Sequence, residues 1–402
     1  MYCFRMKMMV SGWAGRLARP SRHQFSHLTS RLITKDAAAR HLTAGPQHQH
    51  HICAKALYTA HPPLTSPAAS RGLVFGGKVL REPARCLHTG EGKHDQSSSS
   101  SNACSATCES TVVRDVLEYW SRTLAAADVP EAHLAAQHIV AHVLGVTRSK
   151  VQSDGTAATT LTGKQVEEVE RMMMCRLERM PLQYILREWD FHGITLKVVP
   201  PVFIPRPETE QLVELAITTL KQLEAPKPRV LEFCCGSGAI SLALLHALPQ
   251  VECVAVDQSR HAVRLTEANA AQLGLEERLT VVMGKVTVDA RPPLPHNTYD
   301  FMVSNPPYVL RKDLMELQPE IMMYEDLRAL DGGKDGLEVI KAVLHQAHHL
   351  LLPGGRLLLE VDPCHPYLLP AWLEKQNLDL KLVKIHQDFG KIGRFMEFMK
   401  NP

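Results

Sequence analysis

Five consecutive residues, Ser304-Asn305-Pro306-Pro307-Tyr308, carry the clearest chemistry in this chain. Two adjacent prolines remove two backbone donors and stiffen the loop, so that it presents carbonyl oxygens outward. Asn305 adds a side-chain carbonyl acceptor and Tyr308 an aromatic face. Acceptors of this kind suit an amide or aromatic NH2, a poor nucleophile because its lone pair is delocalised. Holding its two hydrogens aims the nitrogen at a methyl donor and favours the positive charge that develops there. The aromatic face packs on the planar group. No strong general base is needed, because the proton can leave after transfer. A proline-stiffened turn is the plain structural alternative. The position after the apolar run Tyr299–Val303, at the carboxyl end of a sheet strand, favours function.

A second constellation lies upstream. The run Val230-Leu231-Glu232-Phe233 enters the small-residue turn Cys234-Cys235-Gly236-Ser237-Gly238 and then the helical pattern from Ala239. Without bulky side chains at Gly236 and Gly238 a ligand can approach the backbone, and the helix N-terminus supplies free N–H groups. Asp257 follows Gly238 by nineteen residues, at the end of the next apolar run. That spacing suits an acid accepting hydrogen bonds from both hydroxyls of a ribose. A tight turn with a capping aspartate is the plain alternative. A dinucleotide site favours three glycines for its pyrophosphate and this turn has two, so the pair of features points to another nucleoside-bearing cofactor.

The elements that must position these residues are legible as alternating patterns. Strands are predicted over 229–233, 252–256, 279–282, 299–303 and 356–361, with helices near 209–223, 238–248, 259–273 and 336–351 between them. Such alternation argues for a parallel α/β sheet covered on both faces. Two short runs, 381–386 and 394–399, are expected to pair antiparallel at an edge. Residues 186–208 read as a connector. Over 111–185 apolar residues recur at helical spacing, as in Val113, Val116, Leu117, Trp120 and Leu124. Pro130 is expected in the first turn of the second helix there, Gly145 at its end, and a third helix over Gly163–Glu178. The three or more short helices form a small bundle with nothing catalytic in it.

The net charge of +3 conceals an asymmetry. Residues 1–90 hold thirteen Lys or Arg against two acids, Asp36 and Glu82, a net +11; the remainder therefore carries −8. A basic, Ser-, His- and Arg-rich, acid-poor start is the composition of a mitochondrial transit peptide. It continues into the Gly- and Ser-rich stretch that ends near residue 110, which we expect to be a linker. No apolar run approaches the ~20 residues of a membrane span. Ten cysteines follow no framework, Cys104 with Cys108 has no second pair at zinc-site spacing, and the cluster His48, His50 and His51, though able to bind metal, reads as low-complexity leader, so neither disulfide nor metal is expected.

At this point the chain resembles a known family. Asn305-Pro306-Pro307-Tyr308 after a strand is similar to the loop of amino-group methyltransferases of the class-one S-adenosylmethionine fold. The flanking segments resemble the HemK/PrmC release factor glutamine methyltransferases. They are Pro181-Leu182-Gln183-Tyr184-Ile185, Ile204-Pro205-Arg206-Pro207-Glu208-Thr209-Glu210, Gly236-Ser237-Gly238-Ala239-Ile240, Ala329-Leu330-Asp331-Gly332-Gly333, Leu352-Pro353-Gly354-Gly355 and Asp388-Phe389-Gly390 with Arg394. The likeness runs from about 112 to 402, and the basic leader points to a mitochondrial member.

The resemblance implies a Rossmann-like seven-stranded methyltransferase sheet behind a small helical domain that docks the substrate. It implies S-adenosyl-L-methionine as cofactor, and as substrate the glutamine of the Gly-Gly-Gln loop in a mitochondrial class-one peptide-chain release factor. The enzyme would work as a monomer in the matrix, supporting translation termination, without membrane or direct nucleic-acid contact. Cys234 to Gly238 would line the methionine part of the cofactor and Asp257 its ribose. Asn305 to Tyr308 would hold the glutamine amide, Asn305 also meeting the cofactor, with Arg206 and Glu208 near the rim. Some positions depart from the pattern. Cys234 replaces the usual first glycine of the turn, an exchange that suits an unstrained backbone. Glu232 replaces an aspartate and Arg187 a glycine, Lys285 stands where the family has an acid, and Asp362-Pro363-Cys364 replaces a glycine-containing segment.

Two other readings share these residues. DNA adenine or RNA guanine amino-methyltransferases use the same Asn-Pro-Pro loop, but need a basic surface for phosphates, and residues 91–402 are net acidic. A non-catalytic scaffold with a decayed cofactor site draws on Cys234 and Lys285, against the intact Asn305–Tyr308.

Overall fold

The computed structural model describes residues 110–402. The leader and linker over 1–110 therefore lie outside the described residues except for Ser110, as do the histidine cluster and Cys104 and Cys108.

Helices α1 (Val113–Ala126), α2 (Ala132–Leu144) and α3 (Gly163–Leu177) pack around Trp120, Leu124, Ile139, Met172 and Met173. The Thr162 hydroxyl accepts from Gln165 N while the Gln165 side chain accepts from Thr162 N, so two orphan donors at the start of α3 are satisfied together. Gly145 ends α2 in the left-handed conformation, as expected. Pro130 does not sit in the first turn of α2. The chain turns through left-handed Asp128 and Glu131 before the helix begins at Ala132, which leaves Pro130 in that turn.

The predicted connector contains a β-hairpin. Strands β1 (Glu188–Phe191) and β2 (Ile194–Lys197) pair antiparallel across His192-Gly193, both with positive φ as a tight two-residue turn requires. The four-residue strands are too short to announce themselves by alternation.

The main sheet comprises β3 (Arg229–Phe233), β4 (Glu252–Asp257), β5 (Leu279–Met283), β6 (Tyr299–Ser304), β7 (Leu351–Glu360), β8 (Leu380–Gln387) and β9 (Gly393–Lys400). Their order is β5-β4-β3-β6-β7-β9-β8, with β9 antiparallel to both its neighbours and the other contacts parallel. This is the seven-stranded sheet of the class-one methyltransferases. The two C-terminal runs do pair antiparallel. β9 fills the inner position against β7 and leaves β8 at the edge, whose solvent-facing positions are accordingly polar in part.

One face of the sheet is covered by α4 (Pro207–Leu220), α5 (Ala239–Ala247) and α6 (Arg260–Leu273), which bury Leu212, Leu242 and Ala270 with Val230, Phe301 and Val303. The other face is covered by α8 (Glu338–Leu350) and α9 (His365–Leu373), which follow the short α7 (Pro319–Tyr324). α7 ties the sheet to the bundle: Glu320 accepts from Arg176 at 3.2 Å and Arg179 at 3.0 Å, and the Tyr324 hydroxyl donates to Glu178 O. Because the strand order reverses between β3 and β6, the chain leaving their carboxyl ends turns to opposite faces of the sheet and opens a crevice.

Candidate active site

The crevice is a cleft of about 910 Å³, counting its open mouth. Cys234, Cys235, Gly236, Ser237, Asp257, Asn305 and Pro307 line it, joined by Phe203, Thr209, Glu232, Lys285, Asp326 and Arg328. Gly238, Pro306 and Tyr308 do not face it. Gly238 lies beneath the turn, where a Cβ would stand 2.8 Å from Thr266 Cγ2, and its φ of +81° also demands glycine. Tyr308 is half-buried, packed against the core beneath α8.

On the cofactor side the backbone does the shaping. Cys235 N donates to Val256 O, and Gly236 N to Asp257 Oδ2 at 3.0 Å. Asp257 Oδ1 accepts from Ser259 N at 2.8 Å. Burial pushes the Asp257 carboxyl above its usual value, opposed by those two backbone donors. Each oxygen keeps lone-pair capacity for a vicinal diol. Asn269 connects this turn to the hairpin: its amide donates to Ser237 O and Lys197 O, and its carbonyl accepts from Lys197 N. The hairpin thus buttresses the turn, a role that the connector reading missed.

Cys234 holds φ +62°, the conformation that favours glycine. The unstrained backbone on which a cost-free exchange depends is not met, because the chain must bend sharply at the end of β3 for Cys235 N to reach β4. Burial keeps the Cys234 and Cys235 thiols protonated by pushing both well up. Glu232 is fully buried and fits by capping α5, accepting from the Ser241 N–H and hydroxyl. Burial raises its carboxyl to about 8 against the lowering effect of those bonds.

On the other side the loop is shaped by side chains and by a neighbouring segment. The Ser304 hydroxyl donates to Phe233 O at 2.6 Å and joins the two loops at their roots. Val309 N donates to Leu330 O and Gly332 N to Val309 O, so the segment predicted to matter at Ala329–Gly333 clasps the loop from outside. Gly332 passes so close that a Cβ would lie 2.7 Å from Tyr308 Cα.

Within the loop, Asn305 Nδ2 donates to Thr209 Oγ1 at 3.1 Å. Thr209 in turn donates to Glu360 Oε2 at 2.8 Å, and the Tyr308 hydroxyl donates to Glu360 Oε1 at 3.3 Å. Asn305 Oδ1 has no partner among the described residues and remains for a ligand. Glu360, at the carboxyl end of β7, is 1% exposed. Desolvation raises it to about 7, while the Thr209 bond and Arg394 lower it.

Thr209 was visible only as one letter of a motif, and Glu360 only as the end of an apolar strand. An acid closing the run Leu357-Leu358-Leu359 at a sheet's carboxyl edge was the available signal. Arg206 does not itself line the cleft; it pairs with Glu325 at 2.6 Å and stacks 4.6 Å over Phe203, which does. Lys285 lines the cleft edge, and nothing in the structure assigns it a partner role.

Such a cleft can hold a nucleoside against the first turn and present a carbonyl acceptor beside it. Comparison with known proteins agrees. A model described as Methyltransferase small domain matches residues 209–333, and one described as PrmC N-terminal domain matches residues 115–186. The human MTRF1L release factor glutamine methyltransferase is 42% identical over 294 residues, 71% of this chain and 87% of that protein. The release factor glutamine methyltransferase of Thermodesulfovibrio yellowstonii is 34% identical over 66% of this chain and 92% of its own length. That of Deinococcus radiodurans is 36% identical over 65% and 90%. A likeness that spans both the helical bundle and the sheet means that this chain belongs to the release factor glutamine methyltransferase family.

Proposed function

We propose that the protein transfers a methyl group from S-adenosyl-L-methionine to the side-chain nitrogen of the glutamine in the Gly-Gly-Gln motif of a mitochondrial class-one release factor. The observation that carries this reading is Asn305: its Nδ2 is committed to Thr209, which leaves Oδ1 on the cleft as an acceptor suited to a carboxamide NH2. The cofactor fits the residues present. Asp257 offers two carboxylate oxygens at the end of β4 for its ribose, and Cys234 to Ser237 offer a backbone cradle for its methionine part, with Gly238 beneath supporting the turn. When bound, it supplies an electrophilic methyl on a positively charged sulfur.

The chain's own residues then align the acceptor. Asn305 Oδ1, with a carbonyl of the proline pair, holds the amide hydrogens and points the nitrogen at the methyl. These oxygens also favour the positive charge that grows on nitrogen as the N–C bond forms. The cofactor, when bound, would give up its methyl and keep the bonding electron pair, and the excess amide proton would pass to water.

The bundle over 111–185 we read as the docking module, and the remainder from 186 as the methyltransferase domain. The basic, acid-poor first 90 residues support matrix targeting. The net acidity of the rest argues against a nucleic-acid substrate.

The test is incubation with labelled cofactor and a mitochondrial release factor, followed by peptide mapping. Label is expected on the Gly-Gly-Gln glutamine. Asn305→Ala should lower turnover by about 10²–10³-fold, the usual loss for one oriented transition-state partner, with its melting temperature unchanged. Label on another residue, or undiminished turnover in that variant, overturns the proposal.

A further inference from the structure

A carboxamide has two ends of the same shape and opposite polarity, so its direction is set by its partners. In this loop that choice decides everything. With Oδ1 toward the cleft Asn305 accepts from an NH2; reversed, it confronts that NH2 with its own. Pro306 and Pro307 supply no N–H to hold the side chain, and the direction is left to Thr209. A threonine hydroxyl can either donate or accept and has no preference of its own. What commits it is Glu360, 2.8 Å behind it and sealed from solvent.

We propose that Thr209 and Glu360 form a positioning relay that sets the direction of the Asn305 carboxamide. This inference rests on the reading that the acceptor is a carboxamide NH2. As a carboxylate, Glu360 can only accept. Its Oε2 takes the Thr209 proton, Thr209 Oγ1 is left with lone pairs, and these take Asn305 Nδ2–H. Oδ1 then faces the cleft. Tyr308 donates to the second oxygen, Oε1, so the same carboxylate also steadies the aromatic residue of the loop. Once Glu360 is protonated on Oε2 it donates to Thr209. The threonine proton is released to turn toward Asn305, and the reversed carboxamide becomes the better partner. Glu360 does not line the cleft, and Thr209 lines it beside Asn305. They act through Asn305.

The charged groups around Glu360 make this balance adjustable. Arg394 on β9 favours the carboxylate, and is itself paired with Asp388 at 3.2 Å in the β8–β9 hairpin. Glu208 at the start of α4 favours the protonated form. Arg206 and Asp362 act on Tyr308 from just before α4 and from the segment after β7. With these opposing influences and burial, the carboxyl sits at about 7.

Full-length variants Thr209→Val, Thr209→Ser and Glu360→Gln test the relay, each close to isosteric. Thr209→Val should lower kcat about tenfold with the KM for cofactor changed less than about twofold, and Thr209→Ser should recover most of the loss. In the wild type kcat should fall as pH drops through 7. Glu360→Gln should be slow and lack that limb. The side-chain amide NH2 resonances of Asn305, assigned by their absence in Asn305→Ala, should shift through the same pH range in the wild type and not in Glu360→Gln. Wild-type kcat in Thr209→Val, or an unchanged pH profile or amide titration in Glu360→Gln, overturns the relay. The amide titration needs no substrate. Its presence in a protein that fails to methylate release factor would retain the relay and sink the substrate reading alone.

Discussion

The two sides of the cleft are built by different means. On the side proposed for the cofactor the cleft is shaped by main-chain groups of Cys234 to Ser237 and by one acid, Asp257, itself fixed by two backbone donors. On the acceptor side it is shaped by a chain of side chains, Asn305 to Thr209 to Glu360 to Tyr308. A site made of backbone depends on conformation and tolerates a change of residue type that preserves φ and ψ. A site made of side chains depends on the identity of each member. Of the sequence departures, Cys234, Glu232 and Lys285 lie on the cofactor side and Asp362-Pro363-Cys364 follows β7 near Tyr308, whereas Asn305 to Tyr308 itself is intact.

Asp257 is the exception within its half, which gives the sharpest way to break the comparison. It is the one side chain there whose identity should matter as much as that of Asn305. Asp257→Ala removes two charge-assisted acceptors, each worth about 1.5–3 kcal/mol. We expect cofactor affinity, measured by calorimetry, to drop about 10²–10⁴-fold. Asn305→Ala should leave it within a few fold, since that residue serves chiefly the acceptor. Equal losses of affinity in both variants would mean that the two sides are not separate.

The buried acids sharpen the contrast. Both stand at strand ends, but Glu360 has Arg394 nearby and Glu232 has only the Ser241 donors with Asp257 opposing it. Glu232 is therefore raised further, to about 8. Raising a folded-state carboxyl means that the fold binds a proton more tightly than the unfolded chain does. Stability from this group is complete below the ordinary carboxylate range and declines as pH rises toward 8. Glu232→Gln mimics the protonated form and should flatten the decline. Between pH 6 and 8 we expect its melting curve to lose about 2 kcal/mol less stability than the wild type. A slope identical to the wild type would show that Glu232 keeps its charge.

Much of this was legible from sequence because strand and helix periods, glycine turns and the proline pair are local. The cores of β3, β4, β6 and the helices between them were all predicted within a few residues. The short hairpin β1–β2 and α9 were not. Four-residue strands barely alternate, and Pro370 inside α9 breaks the pattern that would have marked a helix. The relay was illegible for a different reason. Thr209 and Glu360 are separated by 151 residues and meet only because α4 packs against β7, so no window of sequence contains both. Asn305, by contrast, carries its own signal in the prolines that follow it.

The smallest effect tests the claim that backbone conformation rules the cofactor side. Cys234 and Arg187 both occupy positions where the family has glycine, and both keep glycine-like φ, +62° and +63°. A left-handed non-glycine residue costs about 1–2 kcal/mol, and returning to glycine gives back roughly 0.4–1 kcal/mol through the freer unfolded chain. At Arg187 the side chain is exposed and little else changes, so Arg187→Gly should stabilise by about 0.5–1 kcal/mol. At Cys234 the half-buried thiol packs on the core beneath α8, and its loss offsets the relief. We therefore expect Cys234→Gly to change stability by less than about 0.5 kcal/mol and leave cofactor affinity within twofold. A large loss of affinity there would mean that the thiol itself touches the ligand, and that this half of the cleft also reads side chains.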